Sequence, residues 1–305
     1  MPKSNLFTEF NTSLLEEALS AATRSAYQYD LNKFDQWLKE SKGDSVDFRE
    51  LSAIDLLNYR QFLLNVKGLK PATINRALEA LRKFCAWAFQ KKKLKKDIST
   101  SLKPVRFARN RQPVGLLEPE VHALLRVAGE SQYGLAARNY ALVQIMLQTG
   151  LRVGEVADLK MRDVTARERT GAVVVRQGKG LKEREVPLNA TVRRALRHYL
   201  EERGGEPKAE DPFFLSERKS AMPKRTIQAV ISQLGKKAKI TRVKFSAHTL
   251  RHTFALNYLK QNPGKLVELA SLLGHESLDT TAVYTRPSQE DLAADLERSR
   301  LNIYG

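Results

Sequence analysis

The sequence is short of cysteine, of long apolar runs and of negative charge. One cysteine, Cys85, stands among 305 residues. A single thiol excludes an internal disulfide framework and a cysteine-based metal site. Its neighbours Phe84 and Trp87 belong to an apolar helical stretch, so Cys85 is expected in a core. No uninterrupted apolar segment reaches membrane-spanning length, and the opening MPKSNLFTEF lacks the apolar run of a secretory leader. The expectation is a soluble, cytoplasmic protein with no membrane partner. Acidic residues number 34 against 52 Lys and Arg, a formal net charge of +18. Self-repulsion of that size opposes a compact state. It calls for a polyanionic partner, and nucleic acid is the usual one.

Apolar periodicity supplies most of what is present. From Thr23, residues Tyr27, Leu31, Phe34 and Leu38 recur at helical spacing, and Gly43 follows as a stop. Ser52 and Asp55 have capping-box spacing ahead of Leu56, Leu57, Phe62 and Leu63. From Pro71, residues Ile74, Leu78, Leu81, Phe84 and Ala88 form another stripe, which runs out in QKKKLKK. There, Lys91, Lys92 and Lys93 are either a solvated helix end or a contact to phosphates, and the net charge favours phosphates. The segment KPVRFARNRQPV, residues 103–114, has prolines and no helical stripe. Its Lys103, Arg106, Arg109 and Arg111 suit a basic linker that follows a DNA backbone.

Beyond the linker, Glu118-Pro119 opens a helix, and a long apolar helix from Ala136 to Gln148 ends at Gly150. The β-branched AVVVR at 172–176 and the stretch from Glu185 to Leu188 suit two strands joined by the basic turn RQGKGLKER. Further helices are expected near 190–203, 223–239, 246–261, 264–273 and 277–284. The fold class is therefore mainly α with a small antiparallel β-sheet. Its organisation is a helical domain over 1–102, a basic linker over 103–114, and a larger domain over 115–305 with a C-terminal helical tail.

Several residues capable of phosphate chemistry are scattered through the larger domain. Arg152 follows the helix-ending glycine in TGLRVGE, with Glu155 beside it. Lys179 lies in the glycine-flanked QGKGLKER. His248 and Arg251 stand one turn apart in SAHTLRHTFA and face the same way. His275 stands in LLGHESLDTT, and Tyr284 in AVYTR. Each alone has an ordinary structural explanation: a capped helix end, a solvated turn, a core aromatic. His252 points about 100° around the helix from Arg251 and is expected to be structural. His122 and His198 are given no role.

Taken in order, the set resembles the tyrosine recombinase (phage integrase) family, which includes Xer-type, Cre-type and phage-type enzymes. The resemblance covers about residues 115–286 and rests on TGLRVGE, GKG followed by VPL, HTLRHTFA, LLGH and the final VYT. The helical first third resembles the family's core-binding, SAM-like domain in length and position. The resemblance implies a catalytic set of Arg152, Lys179, His248, Arg251, His275 and Tyr284, with Glu155 supporting. It implies a site-specific recombinase that cuts and rejoins DNA through a 3′-phosphotyrosyl link to Tyr284. No cofactor or metal is implied, because arginines and lysine stabilise the charge. The implied partners are double-stranded DNA sites, three further copies of the chain in a homotetramer on two sites, and an optional accessory protein, at the nucleoid.

Within that resemblance, Arg152 and Arg251 clamp the non-bridging phosphate oxygens. Lys179 is the general acid for the departing 5′ oxygen, and His248 is the base for Tyr284. His275 hydrogen-bonds a phosphate oxygen, and Glu155 orients the basic residues. Leu292, Leu296 and Leu301 share a helical face of the tail, suited to packing on its own domain or, as the family implies, on a neighbouring protomer. The expected role is integration or cointegrate resolution for a mobile element. Xer-type dimer resolution, topoisomerase IB-like relaxation and a non-catalytic DNA-binding accessory protein stand as alternatives.

Overall fold

Helical stripes and their punctuation shape the first part of the chain. The computed structural model describes residues 3–17, 19–43, 48–106, 113–132, 134–176, 183–275, 277–286, 292–293 and 296–298. Contacts divide the chain into two units, Met1–Asn110 and Arg111–Gly305.

The first unit holds α1 (Lys3–Glu16), α2 (Ala21–Lys42), α3 (Ala53–Gln61) and α4 (Pro71–Gln90). Ser20 caps α2 by accepting from the Thr23 N–H, and Gly43 ends it with a positive φ. Asp55 closes the start of α3 by accepting from the Ser52 N–H at 2.8 Å, as its spacing suggested. Pro71 occupies the first turn of α4, where its missing N–H is harmless. The buried faces meet in an aromatic core. Phe84 touches Phe48 edge-on at 4.8 Å and Phe7 at 5.0 Å, and Cys85 is fully buried among them. Helix α1 was not foreseen, although Leu6, Phe7, Phe10 and Leu14 carry its buried face.

Part of the expected linker belongs to this unit. Val105 is buried in its core, and the Asn75 side chain pairs with both backbone groups of Val105, at 2.7 and 3.0 Å. Arg109 and Arg111 lie outside the described residues.

The second unit is built on α6 (Ala136–Thr149), buried along most of its length. It packs against α5 (Glu118–Gly129), α8 (Ala190–Arg203) and α10 (Ala247–Gln261). Between α7 (Val153–Asp158) and α8 lies an antiparallel meander of β1 (Val164–Ala166), β2 (Gly171–Arg176) and β3 (Glu183–Pro187). In its register Val173 faces Val164 on one side and Val186 on the other. The third strand, β1, was not expected. Helices α9 (Lys224–Lys237), α11 (Leu266–Leu273) and α12 (Leu278–Ala282) complete the unit.

Two glycines set the site's geometry. Gly150 ends α6 at φ +64°, where a Cβ would run into the Phe254 ring. Gly274 ends α11 at φ +63°, where a Cβ would meet the Arg184 guanidinium at 2.7 Å. Both positions therefore need glycine for space as well as for backbone conformation. In the tail Leu292 and Leu296 are exposed, and Leu301 lies outside the described residues. Among the described residues no helix is long and apolar enough to cross a membrane.

Candidate active site

The turn after α6 places Arg152 at the start of α7. Glu155 accepts from the Arg152 N–H at 2.7 Å and from its Nη1 at 2.9 Å. A second arginine, Arg184 on β3, donates Nη1 and Nη2 to the two Glu155 oxygens at 3.0 and 2.9 Å. This two-pronged geometry suits arginine and carboxylate. Burial alone would raise the Glu155 carboxyl. The bonds from Arg184 and Arg152 outweigh it and hold the group below the usual carboxylate range.

The end of α11 is held from three directions. Its last carbonyls have no partner within the helix. Arg184 Nε donates to Leu272 O at 2.9 Å, Arg251 Nη2 to Leu273 O at 2.9 Å, and Arg152 Nη2 to Gly274 O at 3.1 Å. Arg251 Nη1 also donates to Gly150 O at 2.6 Å, which ties the α6 terminus to the same cluster. Arg251 is buried. Burial, with Arg152 and Arg184 nearby, lowers its pKa to about 10, so it stays charged at neutral pH.

His275 completes the cluster. Its Nε2 lies 2.8 Å from Arg251 Nη2 and its Nδ1 2.7 Å from Thr281 Oγ1. A guanidinium only donates. Nε2 therefore accepts, and the ring proton sits on Nδ1 and bonds Thr281. Burial and the neighbouring Arg251, Arg152 and Arg184 push His275 down to about 4, so the ring is neutral at pH 7.

Tyr284 lies in the turn just past α12, its N–H bonded to Thr281 O at 3.0 Å. The tight turn ends the helix before the tyrosine, rather than at it as expected. Burial raises the phenol's pKa, and the cations Arg251 and Arg152 work against that rise. Its hydroxyl lies 2.9 Å from Nδ1 of His252. His252, expected to be structural, thus has the candidate nucleophile as its partner. The side chain does lie around the helix from Arg251, but α12 brings Tyr284 to that flank. His248 is exposed on α10. Burial of its ring, with Arg251, Lys224 and Arg152, lowers its pKa.

Arg152, Glu155, Arg251, His275 and Tyr284 are thus brought together, with His248 on the same helix as Arg251. Lys179 lies outside the described residues, between β2 and β3. Arg184, His252 and Thr281 were missed. In the first unit Lys91, Lys92 and Arg106 are exposed, while Lys93 pairs with Glu9 at 3.3 Å.

Residues 116–291 match the Phage integrase family. The chain belongs to this family. Residues 7–92 match the Phage integrase N-terminal SAM-like domain. Tyrosine recombinase XerD of Ralstonia nicotianae is 33% identical over 286 residues, covering 91% of this chain and 88% of that protein. Tyrosine recombinase XerC of Syntrophus aciditrophicus is 30% identical, covering 98% of both. Among solved structures, the XerH recombinase bound to a palindromic difH substrate superposes with a TM-score of 0.76 at 24% identity. That match covers 90% of this chain and 79% of that one, and shows the fold. As a tyrosine recombinase, the chain is an enzyme that cleaves and rejoins DNA through a phosphotyrosine intermediate.

Proposed function

We propose that Tyr284 attacks the scissile phosphodiester while Arg152 and Arg251 stabilise the charge that builds on its non-bridging oxygens. The observation that carries this is the shared anchorage of both guanidinium groups on the end of α11, within electrostatic reach of the Tyr284 hydroxyl. Phosphoryl transfer asks chiefly for positioning and charge stabilisation, and arginine supplies planar donors for both. A bond forms between Tyr284 Oη and phosphorus, and the bond to the 5′ oxygen breaks. Lys179 protonates that oxygen. A 5′ hydroxyl from another strand reverses the step, so the bond energy is conserved and no cofactor is required.

Glu155 holds Arg152 and Arg184 in place. The Thr281 hydroxyl can donate as well as accept. That lets the His275 proton move to Nε2, where it can serve a phosphate oxygen. His248, exposed one turn from Arg251, is placed against the same phosphate. In this reading it also takes the proton from the Tyr284 hydroxyl.

Basic Lys91, Lys92, Lys93, Arg106, Arg109 and Arg111 hold DNA phosphates in this reading. The working domains are 1–102 and 115–305, joined by 103–114, whose first residues pack on the first domain, and the working assembly is a homotetramer on two paired sites at the nucleoid in the cytoplasm. The tail docks on a neighbouring protomer, and an accessory protein can assist. The biological role is integration or cointegrate resolution for a mobile element. Chromosome or plasmid dimer resolution is the second reading, favoured by the likeness to XerD and XerC over nine-tenths or more of the chain.

Covalent trapping tests the proposal. Nicked duplexes from DNA flanking the gene are mixed with the protein and run on a denaturing gel. An adduct is expected with the natural chain and none with Tyr284→Phe. An adduct that persists in the variant means another residue is the nucleophile. Strand exchange between two paired sites separates a recombinase from a relaxing enzyme.

A further inference from the structure

Taking Tyr284 as the nucleophile and His275 as a phosphate ligand, we infer that Thr281 is the positioning residue that makes His275 respond to phosphate. Its hydroxyl accepts a hydrogen bond in the free site and donates one when a phosphate oxygen arrives. The first observation is geometric. Thr281 is fully buried. Its Oγ1 lies 2.7 Å from His275 Nδ1, and its carbonyl accepts the Tyr284 N–H at 3.0 Å. One residue thus holds the phosphate ligand by its side chain and the nucleophile by its backbone.

The second observation is the direction of the hydrogen bonds. Arg251 Nη2, 2.8 Å away, obliges Nε2 of His275 to accept. Nδ1 therefore carries the ring hydrogen, and Oγ1 accepts it. The hydrogen of the Thr281 hydroxyl is then left over. Among the described residues Oγ1 has no partner besides His275, and the side chain does not reach water. A buried donor without an acceptor is costly.

The third observation is what stays fixed. Arg251 is held by Gly150 O and Leu273 O, so it keeps its place as an oxygen approaches. A phosphate oxygen seated between Arg251 and His275 accepts from the guanidinium and offers Nε2 an acceptor too. Once Nε2 carries the ring hydrogen, Nδ1 is bare, and the Thr281 hydroxyl turns to donate to it. Every donor in the series then has an acceptor. The cost of the left-over hydrogen disappears, which favours the phosphate-bound arrangement.

The proton count balances. The ring loses the hydrogen on Nδ1 and gains one on Nε2, solvent water taking the one and giving the other. Thr281 keeps its single hydrogen throughout and only rotates it. The ring starts neutral at pH 7, because burial and the cations Arg251, Arg152 and Arg184 hold it down to about 4, with Glu155 opposing them. Ala255, Leu269 and Leu273 form an apolar cluster against which Tyr284 packs, so the neighbourhood does not depend on the hydroxyl for its shape.

The test uses the full chain and the nicked duplex of the trapping experiment. Thr281→Val keeps the branched shape without the hydroxyl, and Thr281→Ser keeps the hydroxyl without the methyl group. Thr281→Val is expected to slow single-turnover cleavage about 10-fold, and Thr281→Ser to recover most of the rate. Cleavage by Thr281→Val at the natural rate, or by Thr281→Ser as slowly as by Thr281→Val, overturns the inference. An adduct retained by Tyr284→Phe overturns the nucleophile reading instead.

Nitrogen-15 NMR at pH 7 reads the ring directly and needs no change at Thr281. In the DNA-free protein His275 Nδ1 is expected to carry the hydrogen and Nε2 to be a bare acceptor. In Tyr284→Phe bound to the uncut duplex the two nitrogens are expected to exchange character. A hydrogen on Nε2 without DNA, an unchanged pattern with DNA, or a hydrogen on both nitrogens in the complex overturns the inference.

Discussion

Phe84 and Arg251 are both buried, and they hold their surroundings together in opposite ways. Phe84 sits among Phe7, Phe10, Phe48 and Trp87, where contact area and edge-on ring geometry stabilise the first unit. Its stability is spread over many similar contacts. Arg251 sits among carbonyls, a neutral imidazole and other cations, where each donor has a particular acceptor. Desolvating such charges contributes little to stability, yet removing one partner leaves the rest exposed to the full penalty. The first unit is thus insensitive to which apolar groups fill it. The second is sensitive to single atoms. Sites built for function commonly depart from the simplest packing in this way.

Calorimetry on single variants can break this comparison. The largest effect is expected from Phe84→Ala, a loss of about 3–5 kcal/mol confined to the first unit's transition. Single-turnover cleavage at saturating DNA should be retained. A matching loss of cleavage would show that the aromatic core governs the chemistry too. Glu155→Gln should destabilise the second unit by about 2–3 kcal/mol. That is below the 3–5 kcal/mol of a fully buried broken pair, because Glu155 and Arg184 keep 12% and 13% side-chain exposure. It should also slow cleavage, since Arg152 loses its brace. Equal stability with slower cleavage would make Glu155 purely functional.

Gly274→Ala is expected to remove about 1–3 kcal/mol, by strain and overpacking, and to loosen all three carbonyl contacts. Full cleavage activity in that variant would show that the anchorage is dispensable.

The smallest effect concerns pH. His275 titrates at about 4 when folded and near the ordinary 6.5 when unfolded, so the unfolded chain binds more protons between those values. Its contribution is therefore complete above pH 6.5 and is lost as pH falls toward about 4. Melting temperature should fall across that window, less steeply in His275→Asn. An identical slope in the variant would place the titration elsewhere.

Much of the fold was legible because local signals agreed. The stripe after Pro71, the stops at Gly43 and Gly150, and the valine-rich strand each appear as expected. Helix α1 was passed over because its first residues were weighed only as a leader, although their apolar spacing is helical. Strand β1 is three residues long and has no run to announce it. At the site, motif order located the arginines, the histidines and the tyrosine. It could not locate Arg184, which looks like any charged residue in an alternating strand. Its role depends on β3 packing against α11, a long-range contact. His252 has a partner that went unforeseen for the same reason. Its angle around α10 was right, but its partner lies 32 residues onward, and nothing local foretells that approach.

The three guanidinium groups on Leu272, Leu273 and Gly274 have a further consequence. They are assembled and oriented as the chain folds, and those of Arg184 and Arg251 are largely stripped of water. In the proposed reaction a phosphate arriving later meets dipoles and charges already aligned, so little reorganisation is left for the moment of bond breaking. Folding and strand cleavage thus draw on the same arrangement of atoms, and the end of a short helix serves as the template for an electric field.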